Sequence, residues 1–206
     1  MSHKPTAAAG GSGSMRSLLS ASGQTAYDAA TNNSWFSVSS ADYAAVYAGL
    51  ASTTKVGMDD SQVTTASPSA FVGTYGVTLP QAYATVSANR YVVGMVVRTM
   101  GTAGTFRPYI STTYKGSTYT AMGTNTLTTT AVATPQYYLC KAPSLQSSIS
   151  YVAIGPRNVG GGNWACHGTA SSWTGAGYTA SMSPASWTTW NNATPIQQWL
   201  VTTTQP

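Results

Sequence analysis

The chain has 206 residues, of which only 6% are charged, and its formal net charge is +5. It contains four Asp and no Glu, which leaves few carboxylates for acid–base catalysis and predicts no catalytic residues and no enzyme. Its nine Lys and Arg residues are scattered singly, whereas a nucleic-acid partner needs several cations along one track, so we expect no nucleic acid. No stretch approaches roughly 18 consecutive apolar residues, so we expect no membrane insertion.

Residues 1–34 are rich in Ala, Gly, Ser and Thr and have few large apolar side chains. Such a composition buries too little apolar surface to offset the entropy cost of ordering, so we predict an extended low-complexity N-terminal arm. Within it Met15, Leu18 and Leu19 form a small apolar cluster, which either docks on a neighbouring protein or forms the edge of the fold; we favour docking. Residues 1–14 lack the apolar core of a secretory signal peptide, although the composition resembles that of outward-facing proteins.

Residues 35–66 are predicted to form a short helical connector. Ser39 is a candidate N-cap, with Asp42 three residues later, and the helix should end near residue 51. One face of this helix is apolar at the i, i+3, i+4, i+7 spacing: Tyr43, Val46, Tyr47 and Leu50. We expect Tyr43 and Tyr47 to join the apolar cluster of the arm in attaching the chain to a larger particle.

From residue 67 onward, short runs of Val, Ile, Thr and Tyr alternate with Gly, Pro, Asn and Ser at intervals of about 8 to 15 residues, which predicts an antiparallel β-sandwich. The strongest strand is predicted at residues 90–100; both of its faces are mostly apolar, so it should be central. Strict alternation puts Val93 and Met95 on one face and Val96 on the other. Further strands are predicted at residues 106–114, 136–141, 148–154 and 198–203, with Pro108 marking an edge or a bulge.

The C-terminal quarter has a composition typical of a binding surface. Its large aromatic residues lie among Gly, Asn and Ser: Trp164, Trp173, Tyr178, Trp187, Trp190 and Trp199. Aromatic faces stack on sugar rings, and Arg157 and Asn163 supply hydrogen bonds, so this set is a candidate platform for a glycan or a protein partner. The alternative is that the aromatic side chains fill the core or an interface between subunits. The glycine-rich stretch 155–163 is predicted to be a loop.

Neither a metal site nor a cofactor is predicted. Asp59 and Asp60 form a carboxylate pair, but calcium requires roughly six to eight oxygen ligands. Cys140 and Cys166 do not have zinc-binding spacing, and the sequence leaves open whether they form a disulfide or remain thiols. A nucleophilic Cys166 beside His167 is a weaker interpretation than a small buried thiol.

Two stretches resemble known proteins. The long apolar strand ending in Arg98, the Gly turn after it and the run Phe106-Arg107-Pro108-Tyr109-Ile110 resemble the jelly-roll modules of galactose-binding and carbohydrate-binding type that recur in phage tail and head-surface proteins. This resemblance covers residues 67–206. Residues 37–60 are similar to short helical connectors in phage head-fibre, decoration and tail proteins. The chain departs from sugar-binding families because it lacks a cluster of Asp and Glu for calcium or hydroxyl recognition.

The resemblance implies a structural virion protein, namely a capsid decoration or head-fibre protein that attaches through its arm and helix and displays a jelly-roll sandwich of residues 67–206. It also implies the major capsid protein or other virion proteins as partners and a homo-oligomer, with a trimer favoured. A protein made in the host cytoplasm and exposed on the particle would combine an outward-facing composition with the missing signal peptide. The alternative is a carbohydrate-binding module or a tail receptor-binding protein that holds a host-surface glycan on its C-terminal tryptophans.

Overall fold

The structure, a computed structural model, describes residues 14–57, 69–70, 83–86, 89–100, 105–111, 120–129, 134–146, 152–160, 163–168, 178–179, 193–195 and 197–206. This part of the chain is mainly β and is built from antiparallel sheets, with two α-helices and one 3-10 turn near its N-terminal end. The predicted antiparallel β class is therefore confirmed.

The helical segments are the 3-10 turn Met15–Leu18, α1 (Ala21–Ala29) and α2 (Ser40–Gly49). The strands, in chain order, are β1 (Ser34–Val38), β2 (Thr54–Gly57), β3 (Ser69–Ala70), β4 (Tyr83–Val86), β5 (Arg90–Met100), β6 (Thr105–Ser111), β7 (Thr120–Ala121), β8 (Leu127–Thr128), β9 (Pro135–Lys141), β10 (Leu145–Gln146), β11 (Val152–Gly160), β12 (Asn163–Gly168), β13 (Tyr178–Thr179), β14 (Ala193–Pro195) and β15 (Gln197–Thr202).

The larger sheet is arranged around β5. Its main path runs β1-β9-β5-β12-β14; in addition, β15 pairs with β2 and β5, β10 pairs with β5, and β3 pairs with β12. β5 has the bounds predicted from the sequence, and every residue from Val92 to Val97 is buried. The prediction of a central strand is confirmed, because a strand covered on both faces needs apolar or small residues at successive positions.

A β-bulge in β5 changes which of its residues share a face. Between Leu200 and Val201 of β15 the register shifts, so that Val93 is an extra residue on β5. Val93 and Val96 therefore pack in one cluster on the face covered by the helices, while Met95 is buried on the other face. The predicted alternation, with Val93 and Met95 on one face and Val96 on the other, is wrong because the apolar pattern carries no mark of the bulge.

The smaller sheet runs β13-β4-β11-β6-β7, and β8 also pairs with β6. Phe106 and Ile110 of β6 are buried, whereas Arg107 and Tyr109 between them are partly exposed, so β6 has an inner and an outer face. Phe106 packs edge-on against Tyr138 of β9, with ring centroids 5.5 Å apart. The inner face of the smaller sheet therefore contacts the larger sheet.

Two predictions about the smaller sheet are corrected. Pro108 marks neither an edge nor a bulge: β6 has neighbours on both sides, and Pro108 lies in register opposite Pro156 of β11, whereas the register shift of this pair falls between Asn158 and Gly160. Neither proline has an N–H, so the two can oppose each other only at a position where the strands exchange no backbone hydrogen bonds. The predicted loop 155–163 is strand up to Gly160 and again from Asn163. Gly and Pro residues disfavour a strand in the local sequence, but this segment forms part of β11, which pairs with β6 and β4.

The helices cover the outer face of the larger sheet. Their core cluster draws on helices and strands together: Met15, Leu19, Phe36, Tyr43, Val46, Leu50, Val93, Val96, Leu139 and Leu200. α2 begins after Ser39, whose hydroxyl accepts a hydrogen bond from the Asp42 N–H, as predicted. Gly94 lets α2 approach closely, because a Cβ at this position would lie 3.0 Å from the Tyr43 ring.

The N-terminal segment is folded from Met15 onward, so the prediction of an extended arm over residues 1–34 is wrong for this part. Met15 and Leu19 are only 1% and 5% exposed, and Ser20 caps α1 by accepting a hydrogen bond from the Gly23 N–H. The composition is indeed poor in large apolar residues. The few that are present reach a cluster supplied by α2 and the sheet, and that burial stabilises the whole segment.

Two polar side chains tie this segment to the rest of the fold. Buried Asp42 accepts hydrogen bonds from the Ser20 N–H at 2.7 Å, the Ser20 hydroxyl at 3.0 Å and the Ser39 hydroxyl at 2.9 Å. At the other end of α1, the Lys141 ammonium donates to the carbonyls of Tyr27 at 3.0 Å and Ala30 at 2.8 Å. The negative charge lies at two helix N-termini and the positive charge at a helix C-terminus, so both complement the helix dipoles.

Candidate functional site

The predicted attachment residues lie in or beside the core of the chain itself. Met15, Leu19 and Tyr43 are buried there, so their predicted docking on another protein is corrected: these side chains are already covered. Leu18 packs beside the same cluster, close to Gly49 of α2. Tyr47 is partly buried, and its ring lies 4.3 Å from the Lys55 ammonium.

The predicted C-terminal platform is divided between the two sheets. Arg157 and Tyr178 belong to β11 and β13 of the smaller sheet, whereas Asn163 and Trp164 belong to β12 of the larger sheet. By register, Tyr178 lies opposite Ala84 of β4, and Arg157 lies opposite Arg107 of β6. The remaining platform residues lie outside the described residues: Trp173, Trp187 and Trp190.

Trp199 is a core residue rather than a surface platform. Its side chain is 0% exposed and packs edge-on against Trp35, with ring centroids 6.1 Å apart. Its indole Nε1 is buried and has no hydrogen-bond partner among the residues described. For this one aromatic residue of the C-terminal quarter, the alternative of a core position is confirmed.

The smaller sheet brings two arginines together that lie far apart in the sequence. Arg107 of β6 and Arg157 of β11 are direct cross-strand partners. Their registration follows from the neighbouring proline pair, since Arg107-Pro108 runs antiparallel to Pro156-Arg157. Sequence reasoning identified Arg157 but missed Arg107; the inverted Arg-Pro and Pro-Arg dipeptides were the signal that could have linked them.

Arg107 has a defined orientation but an incomplete set of hydrogen bonds. Its side chain is partly buried, and Nη2 donates to the Thr126 hydroxyl at 3.0 Å. Its Nε is buried and has no hydrogen-bond partner within the described ranges. A buried donor without a partner costs about 1 to 3 kcal/mol, and more when it is charged.

A cavity of about 190 Å³ lies between the two sheets. Apolar side chains from both sheets contribute to its lining, among them Val92, Ile110 and Cys140. Asn33 and Gln146 also line it, and none of the described lining residues is charged. Such a mixture suits a small neutral molecule better than an ion, because a charge moved into these surroundings would lose its hydration without gaining a counter-charge.

Two titratable side chains of β9, Cys140 and Tyr138, are buried. Cys140 is a free thiol, and burial raises its pKa to about 12, so it is protonated at neutral pH. Burial likewise raises the pKa of the Tyr138 hydroxyl to about 12. Within the described ranges no three His, Cys, Asp or Glu side chains lie close enough together to hold a metal ion.

The described helices are all too short or too polar to cross a membrane. Of the four carboxylates, the two whose surroundings are described serve the N-terminal helices: Asp28 pairs with Arg16, and Asp42 joins the two helix caps. Neither lies in the smaller sheet.

No protein-family model, curated protein or solved structure matches this chain.

Proposed function

We propose that the chain is a structural protein of a bacteriophage particle, a capsid decoration or head-fibre protein whose β-sheets form a jelly-roll sandwich displayed on the particle surface. The observation that carries this proposal is the scarcity of charge, 6% of residues, on a chain built mainly of antiparallel sheets. Charged residues are depleted at the cores of protein interfaces because burying them is costly, whereas hydroxyls are cheaper to bury. A surface of this composition is suited to broad, permanent contact with neighbouring subunits.

The tail that precedes Met15 is the candidate anchor in this proposal. Residues 1–13 consist mostly of small and polar residues, and Met1 is their only large apolar one. Met15 is held in the core by α2 and the sheet, so the tail is tethered at a fixed point of the fold. Attachment through residues 1–13 replaces attachment through Met15 and Leu19, which are buried.

The test is co-sedimentation of purified chain with particles of its own phage that were assembled without it, combined with light scattering. The intact chain should sediment with the particles and scatter as a trimer, about three times the 21.3 kDa chain mass. Deletion of residues 2–13 should abolish sedimentation and leave the thermal unfolding midpoint unchanged, because every core residue of the described part is kept.

A chain that is folded, monomeric and recovered entirely in the supernatant, with or without residues 2–13, would contradict the proposal. Sedimentation that survives the deletion would reject the tail as the anchor.

A further inference from the structure

The cavity between the two sheets extends from the protein surface into the core. Val92 and Cys140 line it and are only 3% and 2% exposed, whereas Thr120 and Ser144, which also line it, are exposed. One end of the cavity is therefore accessible to solvent, and the other end lies among buried side chains. Its volume of about 190 Å³ exceeds the roughly 150 Å³ of an engineered apolar cavity that binds benzene, so a six-membered ring fits.

The buried end of the cavity has walls suited to an apolar ring. Trp35 of β1 and Cys140 of β9 are direct cross-strand partners, so their side chains share one face of the larger sheet. Ile110 is buried on the inner face of the smaller sheet and lines the cavity from the opposite side. These walls favour a ring over a molecule that carries hydroxyls on every side, because such hydroxyls would lose their hydrogen bonds to water here.

The solvent-exposed end of the cavity is polar. Thr120 lies opposite Ile110 in the register of β6 and β7, and therefore on the same face of the smaller sheet. Ser144 and Asn33 also line the cavity. Hydroxyl and amide side chains both donate and accept hydrogen bonds, so they can bind a ligand hydroxyl in either sense. A molecule with an apolar ring and one hydroxyl matches both ends of the cavity.

The segment that forms one wall of the cavity is fixed to β1 by hydrogen bonds. The Asn125 side-chain amide accepts a hydrogen bond from the Trp35 N–H at 2.9 Å and donates one to the Trp35 carbonyl at 2.7 Å. The Trp35 indole donates to the Met122 carbonyl at 2.9 Å, and the Thr124 N–H donates to the Asn33 carbonyl at 3.0 Å. The cavity is thus formed before any ligand enters, as is usual for small-molecule sites.

We propose that this cavity binds a small neutral molecule that combines a six-membered apolar ring with one hydroxyl group. The ring lies between Trp35 and Ile110, and the hydroxyl faces Thr120 and Ser144 at the exposed end. A ring that carries a carboxylate binds poorly, because the described lining residues have no charge to offset the loss of its hydration. The site does not depend on attachment to a particle.

The test uses phenol as the probe, with benzoate and glucose for comparison, in titrations of the full chain followed by amide NMR. Phenol should bind saturably and at least about tenfold more tightly than benzoate or glucose. Thr120→Phe places a large apolar side chain on the face shared with Ile110, so it should occupy the cavity and weaken phenol binding at least about tenfold. Thr120→Val keeps the side-chain shape without the hydroxyl and should weaken binding by about two- to tenfold.

The matched control is Thr54→Phe, the same substitution at an exposed position of β2 that is not among the described lining residues, and it should leave phenol affinity unchanged. A thermal melt of each variant checks folding without reference to binding. Any of four outcomes would overturn the proposal: no saturable binding of phenol, equal affinity for phenol and benzoate, unchanged affinity in both Thr120 variants, or a loss in Thr54→Phe as large as in Thr120→Phe. Failure of particle attachment would leave these titrations unaffected.

Discussion

Asp42 shows how one buried carboxylate can connect two helices. It accepts hydrogen bonds from the N-capping serines of α1 and α2, Ser20 and Ser39. Burial alone would raise the pKa of Asp42, but the hydrogen bonds from Ser20 and Ser39 outweigh that effect and lower the pKa below its ordinary value of 3.8. A carboxyl group with a lowered pKa in the folded state stabilises the fold at a pH above its unfolded value, and that contribution is lost as the pH falls through the folded value.

Asp42→Asn should therefore destabilise the protein at pH 7 and weaken its pH dependence in acid. We expect the free energy of unfolding to fall by about 2 kcal/mol at pH 7, because an amide is a poorer acceptor and brings an N–H₂ to a site surrounded by donors. Chemical denaturation at pH 7 and at pH 3 measures both effects. The difference between variant and parent should be smaller at pH 3.

The control is Asp28→Asn. Asp28 pairs with Arg16 at 2.7 Å, but both side chains are about half exposed, so this exposed ion pair should contribute little. Equal losses in the two variants would refute the special role of Asp42.

Lys141 matters at the scale of the element, because it connects α1 to strand β9. Its ammonium caps the Tyr27 and Ala30 carbonyls and lies 4.7 Å from the centre of the Tyr27 ring. Lys141→Met keeps much of the side-chain volume and removes the charge, and it should lower the free energy of unfolding by about 1 to 2 kcal/mol. Amide hydrogen exchange in Ala21–Ala29 should become faster.

The control for this variant is Lys55→Met. Lys55 lies over the ring of Tyr47 on α2, and its loss should leave hydrogen exchange in α1 unchanged. If exchange in α1 were the same in Lys141→Met as in the parent chain, Lys141 would not be an anchor of the helix.

Helices and strands were predicted correctly where the local sequence pattern matches the burial of the residues in the fold. β5 and α2 were located from their own residues, since β5 is apolar at nearly every position and α2 has both a capping serine and an apolar face. β11 was predicted at residues 148–154 but spans Val152–Gly160. Gly155 and Pro156 disfavour a strand locally, and pairing with β6 overrides that preference.

At the scale of the whole molecule, residues 15–31 form part of the core, not an appendage. Removing residues 2–31 would uncover Phe36, Tyr43 and Val46, which are buried beneath this segment. We expect that truncated chain to bind a hydrophobic dye and to aggregate, whereas the chain lacking only residues 2–13 should unfold at the same temperature as the full chain. Dye fluorescence and size-exclusion chromatography distinguish the two. A monomeric, dye-free protein without residues 2–31 would show that the segment is dispensable.

The β class, the central strand and the capped helix followed from the sequence, because each depends on the spacing of neighbouring apolar and polar residues. The remaining features depend on how strands that are distant in the sequence pair and pack. The bulge at Val93 reassigned the faces of β5, the core enclosed Met15 and Leu19, and β6 and β11 brought Arg107 beside Arg157. Each of these features depends on residues that are distant in the sequence, and a local pattern does not encode which strand will lie opposite which, or at what offset.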